Sequence, residues 1–258
     1  MTKGLDQPPW IRNAFELSAK KGMDRGRLLL EGLRLNRAAR GAGAAFEQVL
    51  VAPEFYDDGC RELVAELAKA GVPVHEVPSP TFSKLSYKAE GIIGTVRFVP
   101  RSLKDVLAAQ IVIVLDALSD PGNIGAILRS ANAWEASAIV VDDGRRMYHP
   151  KALRASMGAL FDTPSCRAER GTLIAELSRL GRKIVVLDPE GSCRIDAMPA
   201  DEPLVIVLGN EKRGVHEDWR GLSVGVSIPT GGVVDSLNVA TAAAIALWET
   251  YRRREPAR

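Results

Sequence analysis

At 258 residues, with 46% hydrophobic and 26% charged residues, the sequence is long enough for two compact domains and has an ordinary globular composition, which excludes a disordered chain. No apolar run approaches the ~20 residues of a membrane span, and the opening MTKGLDQPPW lacks the apolar stretch and cleavage site of a secretory signal. A cytoplasmic protein with no membrane partner is expected. The formal net charge of +2 excludes a polycation, so any attraction to nucleic acid has to be local.

In chain order, the N-terminal part reads as strand 46–53, helix 56–71 closed by Gly71, strand 73–78 and strand 91–99. Pro100, Arg101 and Ser102 interrupt this pattern, and SLKDVLAAQ reads as a linking helix capped by Ser102. This places a first domain at 1–100, a linker at 101–110 and a second domain at 111–258. The second domain opens on the β-branched run IVIVLDAL, long enough for a buried central strand. It continues as helix 121–136, strand 138–143, helices 150–160 and 172–180, and strands 183–188, 203–209 and 224–229. Helix 236–253 ends it, with alanines on most sides and therefore a burial requirement. Alternating strands and helices predict α/β architecture with largely parallel sheets.

Basic residues cluster twice, at Lys20, Lys21, Arg25, Arg27, Arg34, Arg37 and Arg40, and at Arg252, Arg253, Arg254 and Arg258. Cys60, Cys166 and Cys193 are never in CxxC spacing, and His75, His149 and His216 never share a helix face, so three reduced thiols and no metal site are expected.

Three segments place small and polar residues directly after a strand, where open α/β sheets bind ligands. The first, DALSDPGNIGAILRSANAW (116–134), starts a helix at Pro121 and carries Asn123 and Arg129. It has GxxG rather than the dinucleotide fingerprint GxGxxG, which disfavours a Rossmann dehydrogenase. The second, LVIVLGNEKRGV (204–215), ends an apolar strand in Gly209, Asn210 and Glu211. A carboxylate there needs donors, for which Lys212 and Arg213 are the nearest candidates. The third, VSIPTGGVVDSLNVATAAAIALWE (226–249), runs through Gly231, Gly232 and Asp235 to Ser236, a competent N-cap, and Asn238, an amide expected inside an apolar first turn. GLSVG (221–225) matches a hydrolase elbow, but a strand rather than a helix follows the serine and no histidine lies beyond His216, so a hydrolase is rejected.

In this order, DPGNIGAILRSA, LGNEKRGV and IPTGGVVDSLNVATAAA resemble the three signature motifs of the SpoU (TrmH) family of the SPOUT superfamily of RNA methyltransferases, over residues 111–252. Thr230 stands where that family often has methionine. LLLEGLRLNRAARGAGAAFEQVLVAP, with KLSYKAEGIIGTV, is similar to the small α/β ribosomal-protein-like domain that often precedes it, which implies an RNA substrate-binding domain at 1–100. The resemblance implies a C-terminal SPOUT domain whose parallel sheet carries a deep trefoil knot, and a homodimer whose active site draws on both subunits. It implies S-adenosyl-L-methionine held by backbone around Gly209, Ile228 and Leu237, with Asn123, Arg129, Glu211, Ser236 and Asn238 around a ribose 2′-hydroxyl of RNA, most simply ribosomal RNA. Transfer RNA as the target and a catalytically silent RNA-binding role are the alternatives.

Overall fold

The computed structural model describes residues 8–20, 22–86, 90–141, 145–199, 203–232 and 236–254. Lys21, Arg258, Asp235 and the last two residues of the strand expected at 138–143, Asp142 and Asp143, lie outside them.

The N-terminal part comprises α1 (Pro9–Lys20), β1 (Arg27–Glu31), α2 (Leu33–Gly41), β2 (Ala45–Val51), α3 (Asp58–Lys69), β3 (Val74–Glu76), α4 (Ser79–Leu85) and β4 (Ile92–Arg97). Its four strands run in the order β1-β4-β2-β3, and β4 is antiparallel to both of its neighbours. The expectation of a largely parallel sheet fails here. Only β2 and β3, joined through α3, pair in parallel. A residue row from β1, β4 and α2 (Leu28, Leu30, Val96, Leu35 and Ala39) shares an apolar cluster with Leu153 and Leu160 of the second part. Gly158, at φ 96, permits this close approach: a Cβ there would stand 2.4 Å from the Ala38 Cβ.

The second part is a seven-stranded sheet of order β7-β6-β5-β10-β8-β11-β9, every pairing parallel. After α5 (Leu103–Leu107) come β5 (Ile111–Asp116), α6 (Pro121–Ala133), β6 (Ser137–Val141), α7 (Pro150–Ser156), β7 (Ser165–Ala168), α8 (Arg170–Arg179), β8 (Lys183–Leu187), β9 (Cys193–Arg194), β10 (Leu204–Leu208), β11 (Val224–Ser227) and α9 (Val239–Arg254). Ser102 caps α5 through a reciprocal box with Asp105.

The period of two along β5 and β10 sends Ile111, Ile113, Leu115, Leu204, Ile206 and Leu208 to one face, against α6 and α9. Val112, Val114, Val205 and Val207 go to the other, against α5 and α8. Both strands are buried throughout, which is why their sequences read as unbroken apolar runs. Burying each such side chain contributes on the order of 1.5–3 kcal/mol.

Several elements of the second part differ from the sequence reading. The helix expected at 150–160 ends at Ser156, because Met157 turns left-handed at φ 56. Strand β7, at the sheet edge, is new; its four residues Ser-Cys-Arg-Ala carry no apolar run to announce it. Helix α9 starts at Val239 rather than at residue 236. No helix among the described residues is long and apolar enough to cross a membrane.

Candidate active site

The three motifs meet at the carboxyl ends of β5, β10 and β11, and the meeting is made by side chains. Strand β5 ends at Asp116, and the chain turns sharply at Ala117, a non-glycine residue at φ 56. Asp120 then caps α6 by accepting from the Gly122 amide, and Pro121 occupies the first helical position. Asn123 thus falls in the first turn of α6, at the end of the sheet. The Lys151 ammonium, 2.8 Å from Asp120, and the Gly122 amide hold the Asp120 carboxyl below the usual carboxylate range.

Beside it, β10 pairs in register with β5, Leu208 opposite Leu115, so the second motif emerges next to the first. Asn210 locks the two turns together. Its Nδ2 donates to the Ala117 carbonyl at 2.7 Å, while its Oδ1 accepts from the Lys212 and Arg213 amides at 3.0 and 3.2 Å. Gly209 must be glycine for this turn, since a Cβ would stand 2.3 Å from the Gly214 backbone.

The lock aims Glu211 back at the first motif. Its Oε2 accepts from the Ser119 hydroxyl at 2.7 Å and the Ser119 amide at 3.0 Å, and its Oε1 from the Asp120 amide at 3.3 Å and Asn123 Nδ2 at 3.1 Å. The donors expected from sequence, Lys212 and Arg213, are not used. Asn238 Nδ2 in turn donates to Asn123 Oδ1 at 3.3 Å, and Asn238 Oδ1 accepts from the Ala240 amide at 2.9 Å. A carboxylate only accepts, so it fixes the Asn123 amide, which fixes that of Asn238. The result is a directional relay from Glu211 through Asn123 to Asn238. Asn238 is therefore the cap of α9 and an exposed residue, not the buried amide expected; Ser236 does not cap the helix.

Burial pushes the Glu211 carboxyl up, but the Ser119 hydroxyl and amide, the Glu211 amide and the Asn123 side chain outweigh it and hold the pKa at about 2. Glu211 is thus an ionised acceptor at neutral pH and a poor base for a hydroxyl proton.

Beside the relay lies a cleft of about 470 Å³, in the range of small-molecule sites. Gly209, Ile228 and Leu237 line it as the motifs imply, together with Ser236 and Glu211. Its walls, Leu187, Leu208, Val226, Ile228 and Leu237, suit an apolar ring, and Asp188, Arg194 and Ser227 add polar groups at the β8, β9 and β11 ends. This mixture fits an adenosyl sulfonium. Arg129 stands apart: it is exposed on α6 and, among the described residues, has no hydrogen bond or ion pair. The relay is not visible in sequence, which gives no role to Ser119 and only a strand-end position to Asn210, although Asn210 followed by Arg213 and Gly214 is a turn-forming pattern.

The basic clusters separate similarly. Arg252 and Arg253 pair with Glu249, and Arg253 also donates to the carbonyls of Met198 and Ile195, so the C-terminal cluster is largely committed within the fold. On α2, Arg37 pairs with Glu62 at 2.7 Å, whereas Arg40 is exposed without a partner among the described residues. The serine of GLSVG, Ser223, directly precedes β11 and donates to the Trp219 carbonyl, as a turn residue does.

Comparison with known proteins agrees with this geometry. Residues 110–248 match the model of the SpoU rRNA methylase family. A 23S rRNA (uridine(2479)-2′-O)-methyltransferase of Streptomyces viridochromogenes is 35% identical over 150 residues; the match covers 55% of this chain and 52% of that relative, about half its length. An uncharacterized tRNA/rRNA methyltransferase of Mycobacterium ulcerans is 31% identical over 212 residues, covering 77% of this chain and 68% of the relative. The crystal structure of the SpoU methyltransferase AviRb from Streptomyces viridochromogenes, in complex with AdoMet, superposes with a TM-score of 0.81 at 27% identity, covering 94% of this chain and 97% of that one. With its motifs joined at one strand-end site and its fold shared over nearly its whole length, the chain belongs to the SpoU rRNA methylase family.

Proposed function

We propose that the protein methylates a ribose 2′-hydroxyl of ribosomal RNA, using S-adenosyl-L-methionine as the donor. The observation that carries this reading is the Glu211–Asn123–Asn238 relay, whose Glu211 lines the 470 Å³ cleft. The relay and cleft put polar groups for a ribose directly beside a largely apolar pocket for the donor. When bound, the donor supplies a methyl group activated by its sulfonium.

The residues of the chain do the rest by alignment, which in an in-line displacement provides much of the acceleration. Gly209, Ile228 and Leu237 shape the donor's pocket. Asn123 and Asn238, whose amide nitrogens and oxygens are both held by the relay and the α9 cap, orient the ribose through their second N–H and remaining lone pairs, and Ser236 sits at the cleft edge. Glu211 acts as the acceptor that orients Asn123, not as the base. Arg129 grips a phosphate and steadies the negative charge that develops on the 2′-oxygen as the hydroxyl passes its proton to solvent water and its oxygen takes the methyl group.

Because Arg129 stands apart from the relay of its own chain, we assign it to the site of a second subunit. A homodimer through the catalytic part is supported by the open side of α9, where Trp248 is 47% exposed beside Trp134 and Tyr251, with ring centroids 6.3 and 6.4 Å away. The insertion of β10 between β5 and β8 supports the knotted topology, and the separate four-stranded sheet supports a substrate-presenting domain at 1–100. The reading places the protein in the cytoplasm.

Titration calorimetry with S-adenosylmethionine and its demethylated product tests the donor site. One equivalent per chain is expected, with Kd no weaker than about 1 mM, the limit of weak sites. Gly209→Ala should weaken it at least about tenfold, because the added Cβ collides with backbone. Absence of binding by the wild-type protein would remove the enzyme reading.

A further inference from the structure

Lys212 and Arg213 follow Glu211 directly, and that carboxylate is the nearest partner in sequence for both cations. The pairing does not occur, because Glu211 is taken by Ser119, Asp120 and Asn123. Both cations are exposed, and neither side chain has a hydrogen bond or ion pair among the described residues. Their backbone is nevertheless held: both amides donate to Asn210 Oδ1, and the Gly214 amide donates to the Asn210 carbonyl at 2.9 Å.

The turn also has a direction. Glu211 and Gly214, on either side, line the donor cleft, whereas Lys212 and Arg213 do not. The two cations therefore stand outside the donor's pocket, one and two residues after Glu211, the acceptor of the relay. Nearby carboxylates leave them free: Asp218 is engaged by Arg170 at 3.4 Å and His216 at 3.1 Å, and Glu217 is exposed.

We infer that Lys212 and Arg213 grip the RNA phosphates flanking the target ribose, an inference that rests on the ribose-methylation reading above. The chemistry matches a nucleotide in its strand, whose ribose carries a phosphate on either side. In a molecule of net charge +2, a polyanion is held by local cations of this kind. The fixed backbone lowers the ordering cost of the contact. Arginine brings a planar fork to one phosphate and lysine a point charge to the other.

The test is a double variant, Lys212→Gln with Arg213→Gln, whose side chains bond nothing in the fold, so an unchanged melting temperature is expected. Binding of ribosomal RNA transcribed in vitro is measured across a salt series. The variant should bind about tenfold or more weakly near 0.1 M salt, and the slope of log K against log salt should shrink by roughly 0.7–0.9 for each cation lost. Lys212→Arg should retain most of the affinity, and donor affinity should not move in any of these variants. Unchanged RNA affinity and slope would overturn the inference, as would a weaker affinity with the wild-type slope. The experiment reads binding alone, so wild-type protein that binds RNA but transfers no methyl group would fail the proposed function and not this inference.

Discussion

Arg129→Ala is expected to lower the single-turnover methylation rate of a cognate RNA by roughly 10²-fold or more, the loss typical when an oxyanion-stabilising donor is removed. Donor affinity should stay nearly intact, because Arg129 does not line the cleft. Arg129→Lys should restore only part of the rate, since lysine keeps the charge but lacks the fork that grips a phosphate. The structure sharpens this expectation. Arg129 is exposed and has no hydrogen bond or ion pair among the described residues, so its removal should leave the melting temperature nearly unchanged, which separates lost activity from unfolding. If the arginine serves the partner's site, mixing Arg129→Ala with Glu211→Ala should restore about a quarter of the wild-type sites, by random assortment in a two-fold dimer. Near-wild-type single-turnover rates for Arg129→Ala would exclude the residue from the mechanism.

Asp116→Ala is expected to cost about 3–5 kcal/mol of stability, as for removing one partner of a buried ion pair. Asp116 is 1% exposed and accepts from Arg170 Nε and Nη2, each at 3.0 Å, and from Trp219 Nε1 at 2.7 Å. The alanine variant leaves a partly buried guanidinium without its carboxylate and a fully buried indole N–H without an acceptor. At roughly 2–4 °C per kcal/mol for a chain of this size, the melting temperature should fall on the order of 10 °C. Trp219→Phe, which keeps the ion pair but removes the indole N–H and part of a fully buried ring, should cost less, about 1–3 kcal/mol. The network joins the end of β5 to α8 and to the segment following the Glu211 turn, so the damage should reach the site as well as the core. Thermal melts of the three proteins decide this; a fall of under about 2 °C for Asp116→Ala would show that the network contributes little.

The motifs were legible because each is announced by local chemistry. The β-branched runs of β5 and β10 can only be buried strands, and Pro121, Gly209 and the Gly231–Gly232 pair mark where those strands and β11 give way to turns. Their joining was not legible. Glu211 meets Ser119 and Asn123 through the register of β10 against β5, a relation between segments about 90 residues apart. Sequence proximity pointed to Lys212 and Arg213 instead, and the Asn210 lock, which turns them away, is a tertiary feature. Asn238 was misread as buried because the alanine-rich stretch after it looked helical from Ser236 onward; the cap sits two residues later. In the N-terminal part, β1 is only five residues long and flanked by Gly26 and Gly32, and its antiparallel pairing with β4 spans some 65 residues. Neither length nor local pattern announces such a strand.

The most direct test of the central claim is ribose-methylation mapping of ribosomal RNA transcribed in vitro, after incubation with the protein and S-adenosylmethionine. The account predicts one new 2′-O-methylated nucleotide in ribosomal RNA, absent with Arg129→Ala. RNA left unmethylated by protein that binds the donor, a methyl group found on a base, or modification confined to transfer RNA tested in parallel would contradict it.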